Sequence, residues 1–322
     1  MSKRSLSLEN VSSVFWFTGV LIVLWFFLSP GFFKLDNLQN LFIQATPLLI
    51  LAIAETLAIL SEGIDLSVGF TLGFTGVVAA YLVSAGAPLP VVVLAALAVG
   101  TLIGLLNGVV IAKGGLPPFI TTLGLGNIFF GFGLLLTGGV SVPAFDDSFR
   151  FISGGSVFGL NVSIFISLGV FGLMWVVMQR TKFGRNVYSL GGNAEALRLS
   201  GVNIVRASIA VYTVVGLLSG LAGVVVASRM ASGHPGNGLG WEFDAIAATI
   251  IGGTAFEEGN GSIGKTVLGV IMISVLRNGL NMAGVSNMYQ FAIIGGVVLS
   301  AIMADIVLKN LAQRRQAAGG SH

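Results

Sequence analysis

Residues 259–266 read GNGSIGKT and fit the pattern G-x-x-x-x-G-K-[ST], in which backbone amides cradle phosphate and the lysine reaches the outer phosphates. That chemistry needs a strand ahead of the loop, a helix behind it and an acidic Mg²⁺ partner at the end of a second strand. Here the motif precedes an apolar stretch of about twenty residues, the length of a membrane span. It is therefore read as a tight turn with Lys265 at a membrane interface. Cysteine is absent, and the two histidines, His234 and His322, are far apart. That leaves no disulfide framework, no thiolate nucleophile and no His/Cys metal cluster. With no convincing Ser/His/Asp arrangement either, the chain is expected to be no enzyme and to hold no cofactor or metal.

Composition explains why the motif stands in the wrong setting. Of 322 residues, 55% are hydrophobic and 9% charged, against about 25% charged in soluble domains. Apolar runs of about 17 to 25 residues recur, each long enough to cross a hydrocarbon core of roughly 30 Å. Candidate spans lie near 14–30, 46–62, 66–85, 89–112, 118–137, 160–179, 207–229, 243–256, 263–283 and 288–308. The sequence thus predicts an all-α membrane protein of about ten transmembrane helices. No linker or low-complexity run divides 1–322, so it reads as a single transmembrane domain. No small-residue cleavage site follows the first apolar run, so that helix is expected to be retained. Small residues at helical spacing, as in Gly100-Thr101-Leu102-Ile103-Gly104 and Gly216-Leu217-Leu218-Ser219-Gly220, let helix backbones approach closely in lipid.

Crossings that begin inside the cell put Lys3, Arg4, Lys113, Arg180, Lys182, Arg185, Arg198, Arg206, Lys265, Lys309, Arg314 and Arg315 on the cytoplasmic side. The outer loops then carry Lys34, Arg150 and Arg229, and the positive-inside rule favours this orientation, with both termini cytoplasmic. An internal repeat fits the count. Ser67-Val68-Gly69-Phe70-Thr71 and Ser262-Ile263-Gly264-Lys265-Thr266 share a pattern, and each follows an apolar run broken by acidic residues and Gly. Both lie at inner turns, which predicts parallel repeats of the kind transporters use.

The long charged stretch is Arg180 to Arg206, with Arg180, Lys182, Arg185, Arg198 and Arg206. Gly191-Gly192-Asn193 reads as a helix breaker followed by an N-cap, Ala194 to Leu199 as helix formers and Gly201 as a helix C-terminus. A short cytosolic amphipathic helix is expected, with Glu195 in its first turn, where a carboxylate suits the positive helix end.

Five segments, in order, carry a resemblance over nearly the whole chain. They are Glu62-Gly63-Ile64-Asp65-Leu66-Ser67-Val68-Gly69; Leu116-Pro117-Pro118-Phe119-Ile120-Thr121-Thr122-Leu123-Gly124; Thr181-Lys182-Phe183-Gly184-Arg185 with Leu190-Gly191-Gly192-Asn193; Phe243-Asp244-Ala245-Ile246-Ala247-Ala248 with Ile251-Gly252-Gly253-Thr254; and Asn278-Gly279-Leu280-Asn281. The chain resembles the permease subunits of ABC importers for monosaccharides, of the ribose, xylose, arabinose and galactose type. The resemblance implies a type II importer bundle in a bacterial inner membrane. It also implies a second permease copy or sister permease, a periplasmic sugar-binding protein and a separate ATPase that binds the ATP and Mg²⁺. Gly192, Asn193, Glu195, Ala196 and Gly201 would then couple to that ATPase. Gly63, Asp65, Ser67 and Gly69 match the family's turn. Glu62 stands where the family usually has Gly, Glu257-Glu258-Gly259-Asn260-Gly261 replaces a Gly-richer turn, Lys265 replaces a Gly, and Glu55 replaces an uncharged residue.

A sugar offers hydroxyls and no charge, so its path calls for neutral hydrogen-bonding groups and aromatic faces. Asn107, Phe119, Thr121, Thr122, Asn127, Asn278 and Asn281 are candidates, and the alternative for each is helix-packing glue, the commoner role of polar side chains in spans. Glu55, Arg277 and Asp305 need a partner, a watery cavity or an interface. For Glu55 an ion pair with Arg277, protonation and a gate all remain open, while Asp65 is read as a cap for the following helix. The competing class is an ion-coupled secondary transporter using Glu55 and Arg277. Lipid surrounds the chain in either reading, and nothing points to nucleic acid.

Overall fold

Lipid leaves backbone polar groups no partner but one another, so uncharged apolar runs fold as helices. The computed structural model describes residues 3–29, 31–254, 259–286, 288–290, 292–297, 299–300 and 303. Five helices come first: α1 (Lys3–Leu28), α2 (Leu35–Leu60), α3 (Val68–Ser84), α4 (Leu89–Gly114) and α5 (Pro118–Thr137). A strand β1 (Val142–Pro143), a short helix α6 (Asp147–Gly154) and a hairpin of β2 (Ser156–Val157) with β3 (Leu160–Asn161) lead to α7 (Val162–Arg180). Then come α8 (Lys182–Leu199), α9 (Ile204–Met230), β4 (Ser232–Gly233), a 3-10 turn (Pro235–Gly238), α10 (Trp241–Ile251) and α11 (Ile263–Met282).

Among the described residues, α2, α4, α5, α7, α9 and α11 are long and apolar enough to cross a membrane. The sequence predicts about ten such helices. Residues Trp16–Leu28 and α3 are apolar but shorter. The expected span 243–256 is instead α10, 11 residues long. The residues before it, 231–240, leave α9 as β4 and the 3-10 turn, with Pro235 and several Gly denying them a continuous helix. The last expected span, 288–308, is helical at 288–290, 292–297, 299–300 and 303, and its other residues lie outside the described ones. Asp305, Lys309, Arg314, Arg315, Glu257 and Glu258 also lie outside them.

The bundle is built around α2, whose residues from Ile50 to Leu60 are fully buried, including Glu55. It packs against α7, α9, α10 and α11, and α4 lies along α9. The two glycine pairs quoted above face each other. A Cβ on Gly104 would come within 2.1 Å of the Tyr212 carbonyl oxygen, and one on Gly216 within 2.2 Å of the Gly100 oxygen. Their backbones are in direct contact, as close helix packing in lipid requires. At the end of the bundle away from α8, β1 pairs with β4. There the Ser228 hydroxyl donates to the Phe149 carbonyl at 2.7 Å, tying α6 to the end of α9.

Gly104→Val should destabilise the detergent-solubilised protein by about 1–3 kcal/mol, the usual cost of overpacking. Gly169→Ala, where an added Cβ meets nothing within 4 Å, should leave the melting temperature unchanged or slightly raised. Thermal denaturation of the two variants checks this.

Candidate functional site

The chain breaks out of helix inside the bundle twice, after α2 and before α10. At the first break, residues 61–67 turn back alongside the end of α2. Asp65 N–H donates to Glu55 Oε1 at 3.1 Å, Leu66 N–H to Thr122 Oγ1 at 3.0 Å and Ser67 N–H to Asp65 Oδ1 at 2.8 Å. Three successive amides without a helical partner are thus met by side chains, and Asn107 Nδ2 donates to Ser67 Oγ at 2.7 Å. Glu55, Asp65, Ser67, Asn107 and Thr122 are all buried. The structure therefore joins five of the predicted residues in one network. Asp65 does not cap α3 as expected: Ser67 holds the N-cap position, its hydroxyl making no capping bond to the helix backbone, and Asp65 closes a turn onto the residue two ahead. Nor does Glu55 pair with Arg277; it supports backbone.

Two glycines make this turn possible. A Cβ on Gly63 would lie 2.1 Å from the Tyr212 hydroxyl, and one on Gly69 2.1 Å from Glu242 Oε2. Glu62, by contrast, has φ 62°, a left-handed conformation that strains any residue with a Cβ.

The second break lies against the first. Gly69 touches Gly238 as well as Glu242, and Gly73 touches Pro235. Thr249 Oγ1 of α10 donates to the Ala52 carbonyl at 3.1 Å, and Thr56 Oγ1 bonds Thr266 Oγ1 at 2.7 Å, tying α2, α10 and α11 together. Arg277 forms an ion pair with Asp244 of α10. Both line a cavity of about 260 Å³ with Gln44, Arg229, Trp241 and Asn281.

The remaining predicted residues are scattered. Asn278 exchanges hydrogen bonds with Asn37 at 2.9 and 3.1 Å and serves packing. Asn281 accepts from Gln290 Nε2 at 2.8 Å and lines the cavity. Phe119 is exposed on α5, as is Asn127, whose Nδ2 bonds its own helix at Leu123 O. Thr121 is buried. Sequence reasoning did not single out Trp241, placed Arg229 in an outer loop and quoted Asp244 only within a motif. An acidic residue inside the expected span 243–256 was the available signal, since such residues mark sites in membranes.

The charged segment forms α8, which begins at Lys182, earlier than expected, because Thr181 Oγ1 accepts from Gly184 N–H. It breaks at Asn193 (φ −166°, ψ 88°), whose Oδ1 accepts from Ala196 N–H at 2.8 Å. Gly192, Asn193, Glu195 and Ala196 are exposed, while Leu197 anchors the last turn. Glu195 accepts from Arg198 Nε at 2.9 Å, and that bond holds its carboxyl below the usual range. Gly201 ends the helix at φ 85°, the left-handed position that favours Gly. A groove of about 460 Å³ between α8 and the start of α9 is lined by Phe183, Val187, Gly201, Asn203 and Arg206 among others. On its inner side α8 meets the end of α2, where the first break begins, and the turn between α10 and α11. A Cβ on Gly191 would lie 2.2 Å from the Leu60 oxygen, and one on Gly259 2.5 Å from the Tyr188 oxygen. Residues 259–266 are thus the turn into α11, with Ser262 as its N-cap.

Comparison with known proteins gives a consistent result. The family model described as "Branched-chain amino acid transport system / permease component" matches residues 37–303. The chain is 41% identical over 290 residues to the ribose import permease protein of Escherichia coli strain K12, covering 89% of this chain and 90% of that one. It is 36% identical over 293 residues to the D-allose transport system permease protein of the same strain, covering 90% of each. It is also 38% identical over 280 residues to a probable ABC transporter permease protein of that strain, covering 87% and 84%. No solved structure matches the chain.

Glu62→Gly should raise stability by about 1 kcal/mol, relief of the left-handed strain less the added chain entropy of Gly. Equilibrium unfolding in detergent measures the difference.

Proposed function

Because the chain belongs to the permease-component family of transport systems, we propose that it is the membrane subunit of an ATP-binding-cassette importer for a monosaccharide or similar small polyol. The observation that carries this reading is the 41% identity to a ribose import permease across 89% of the chain. The cavity's Arg229, Asp244, Arg277 and Asn281 offer hydrogen-bonding partners to hydroxyls.

The permease works with a periplasmic binding protein that delivers the sugar and with a second permease subunit. A separate ATPase holds the ATP and Mg²⁺. The basic residues of the α8 end favour a cytoplasmic position for that end and for both termini, in a bacterial inner membrane. The exposed turn at Asn193, Glu195 and Ala196 couples to the ATPase, and Gly201 shapes its end. Contacts of α8 with Leu60 and Gly259 support a route by which its displacement reaches the first break and the turn into α11. Each ATPase cycle then exchanges outward and inward openings, provided that the transmitted contact differs in energy between the two states. The matching Ser67 and Ser262 turns, each at the start of a helix, support a parallel repeat.

Reconstitution of the complete importer in proteoliposomes should give sugar uptake that requires ATP and the loaded binding protein. Glu195→Arg should lower uptake at least about tenfold, equivalent to about 1.4 kcal/mol of lost coupling contact. Uptake by the permease alone, driven by a proton gradient and indifferent to ATP, would overturn the proposal.

A further inference from the structure

The cavity between α2, α9, α10 and α11 lies in the half of the bundle away from α8, and its lining is unlike that of an inert water pocket. The Asp244 carboxylate and Arg277 guanidinium are paired, and Arg229 enters from the end of α9 with its Nη1 buried and without a hydrogen-bond partner among the described residues. Nη1 is closed off from the cavity, and the rest of the Arg229 side chain lines it and offers its donors to whatever enters. Trp241, half-buried at the start of α10, adds an aromatic surface, and Gln44 and Asn281 add amides that both donate and accept. At about 260 Å³ the space falls below the roughly 300–1,000 Å³ typical of pockets for drug-sized ligands. It suits one small ring.

A ligand that uses all of this must accept from guanidinium, donate to carboxylate, exchange bonds with amides and present an apolar face. A ring bearing several hydroxyls meets those demands together. An inorganic anion would satisfy Arg229 but leave the aromatic wall unused, and the ribose and D-allose permeases among the relatives favour a sugar over an amino-acid zwitterion. We infer that this cavity is a binding subsite for a single neutral monosaccharide ring within the permease itself. In it Arg229 donates to a hydroxyl, the Asp244–Arg277 pair serves neighbouring hydroxyls, and Trp241 supplies the apolar wall. The inference rests on the import reading above and adds to it that the membrane subunit, not the delivery protein alone, contacts and selects the sugar. Arg229 and Trp241 are its specificity-determining residues.

The test combines uptake with direct binding. Ribose, xylose, arabinose, allose and galactose are each offered to the reconstituted importer. The same sugars are then added to the permease–ATPase complex in nanodiscs, without binding protein, and observed by saturation-transfer NMR. Arg229→Gln and Trp241→Leu are compared with the conservative Arg229→Lys and Trp241→Tyr, all scored first for co-purification with the ATPase. A sugar that is imported should show saturation transfer on the native complex. The signal should fall about tenfold or more in Arg229→Gln and Trp241→Leu, the size of one lost charge-assisted contact. It should partly survive in the conservative pair, and the preference among sugars should change. An imported sugar that gives no saturation transfer, or one whose signal persists in both Arg229→Gln and Trp241→Leu, would overturn the subsite while leaving the import reading intact. A higher signal for glucuronate than for every neutral sugar would overturn the neutral-ring assignment. Failure of the native importer to carry any of the five sugars would count against the import reading and the subsite together.

Discussion

An amide that leaves a helix inside a lipid-facing bundle has no water to bond, and every other feature of the site follows from how this chain meets that constraint. Residues 61–67 leave α2 and turn back beside it, and Glu55, Thr122 and Asp65 accept the N–H groups that a helix would have accepted. Irregular backbone at this depth is tolerated where protein surrounds it, and the burial of these side chains supplies that setting. The glycines at 63 and 69 are small because Tyr212 and Glu242 occupy the space where a Cβ would stand. A carboxylate at position 55, the least expected residue in an apolar span, is thereby accounted for as a backbone acceptor.

The same economy links the end of α2 and the turn into α11 to α8. Gly191 rests on the end of α2 at Leu60, and the turn before α11 rests at Gly259 on Tyr188 and Gly192. These are backbone contacts with no flexible side chain between them, so a displacement of α8 cannot be absorbed locally. The kink at Asn193 separates an inner arm, Lys182 to Gly192, that bears on the bundle from an outer turn, Ala194 to Leu199, that is mostly exposed and held by the buried Leu197. A lever of this form suits the partner-driven cycle proposed above.

Much of this arrangement was legible in the residues. Glycines at 100, 104, 216 and 220 foretold backbone contact, and the structure sets those two segments against each other. Asn193 and Gly201 marked helix boundaries by their ordinary cap preferences, and the positive φ of Glu62 gives a physical reason for the Gly usual in the family. Other features had no local signature. An apolar run shows that residues belong in lipid but not where the chain turns back, so α10 was read as a span when it is a short helix behind a re-entrant segment. The pairing of Arg277 with Asp244 joins residues on different helices. No periodicity or cap encodes it, and the sequence left a Glu55–Arg277 pair as one of several open readings. Arg229 was assigned to a loop by counting charges, whereas α9 continues to Met230 and carries it into the cavity wall.

The central claim is that a separate ATPase seats on the outer turn of α8, and the absence of cysteine makes it directly measurable. A single cysteine is introduced at Ala196, exposed on α8, or at Phe158, 97% exposed at the far end of the bundle. Each is labelled with a membrane-permeant maleimide, with and without the bound ATPase subunit. Labelling at position 196 should slow about tenfold or more in the complex, reflecting a contact worth at least about 1.4 kcal/mol, while position 158 should react equally in both. Undiminished labelling at position 196 in a complex that still hydrolyses ATP and imports sugar would contradict the account.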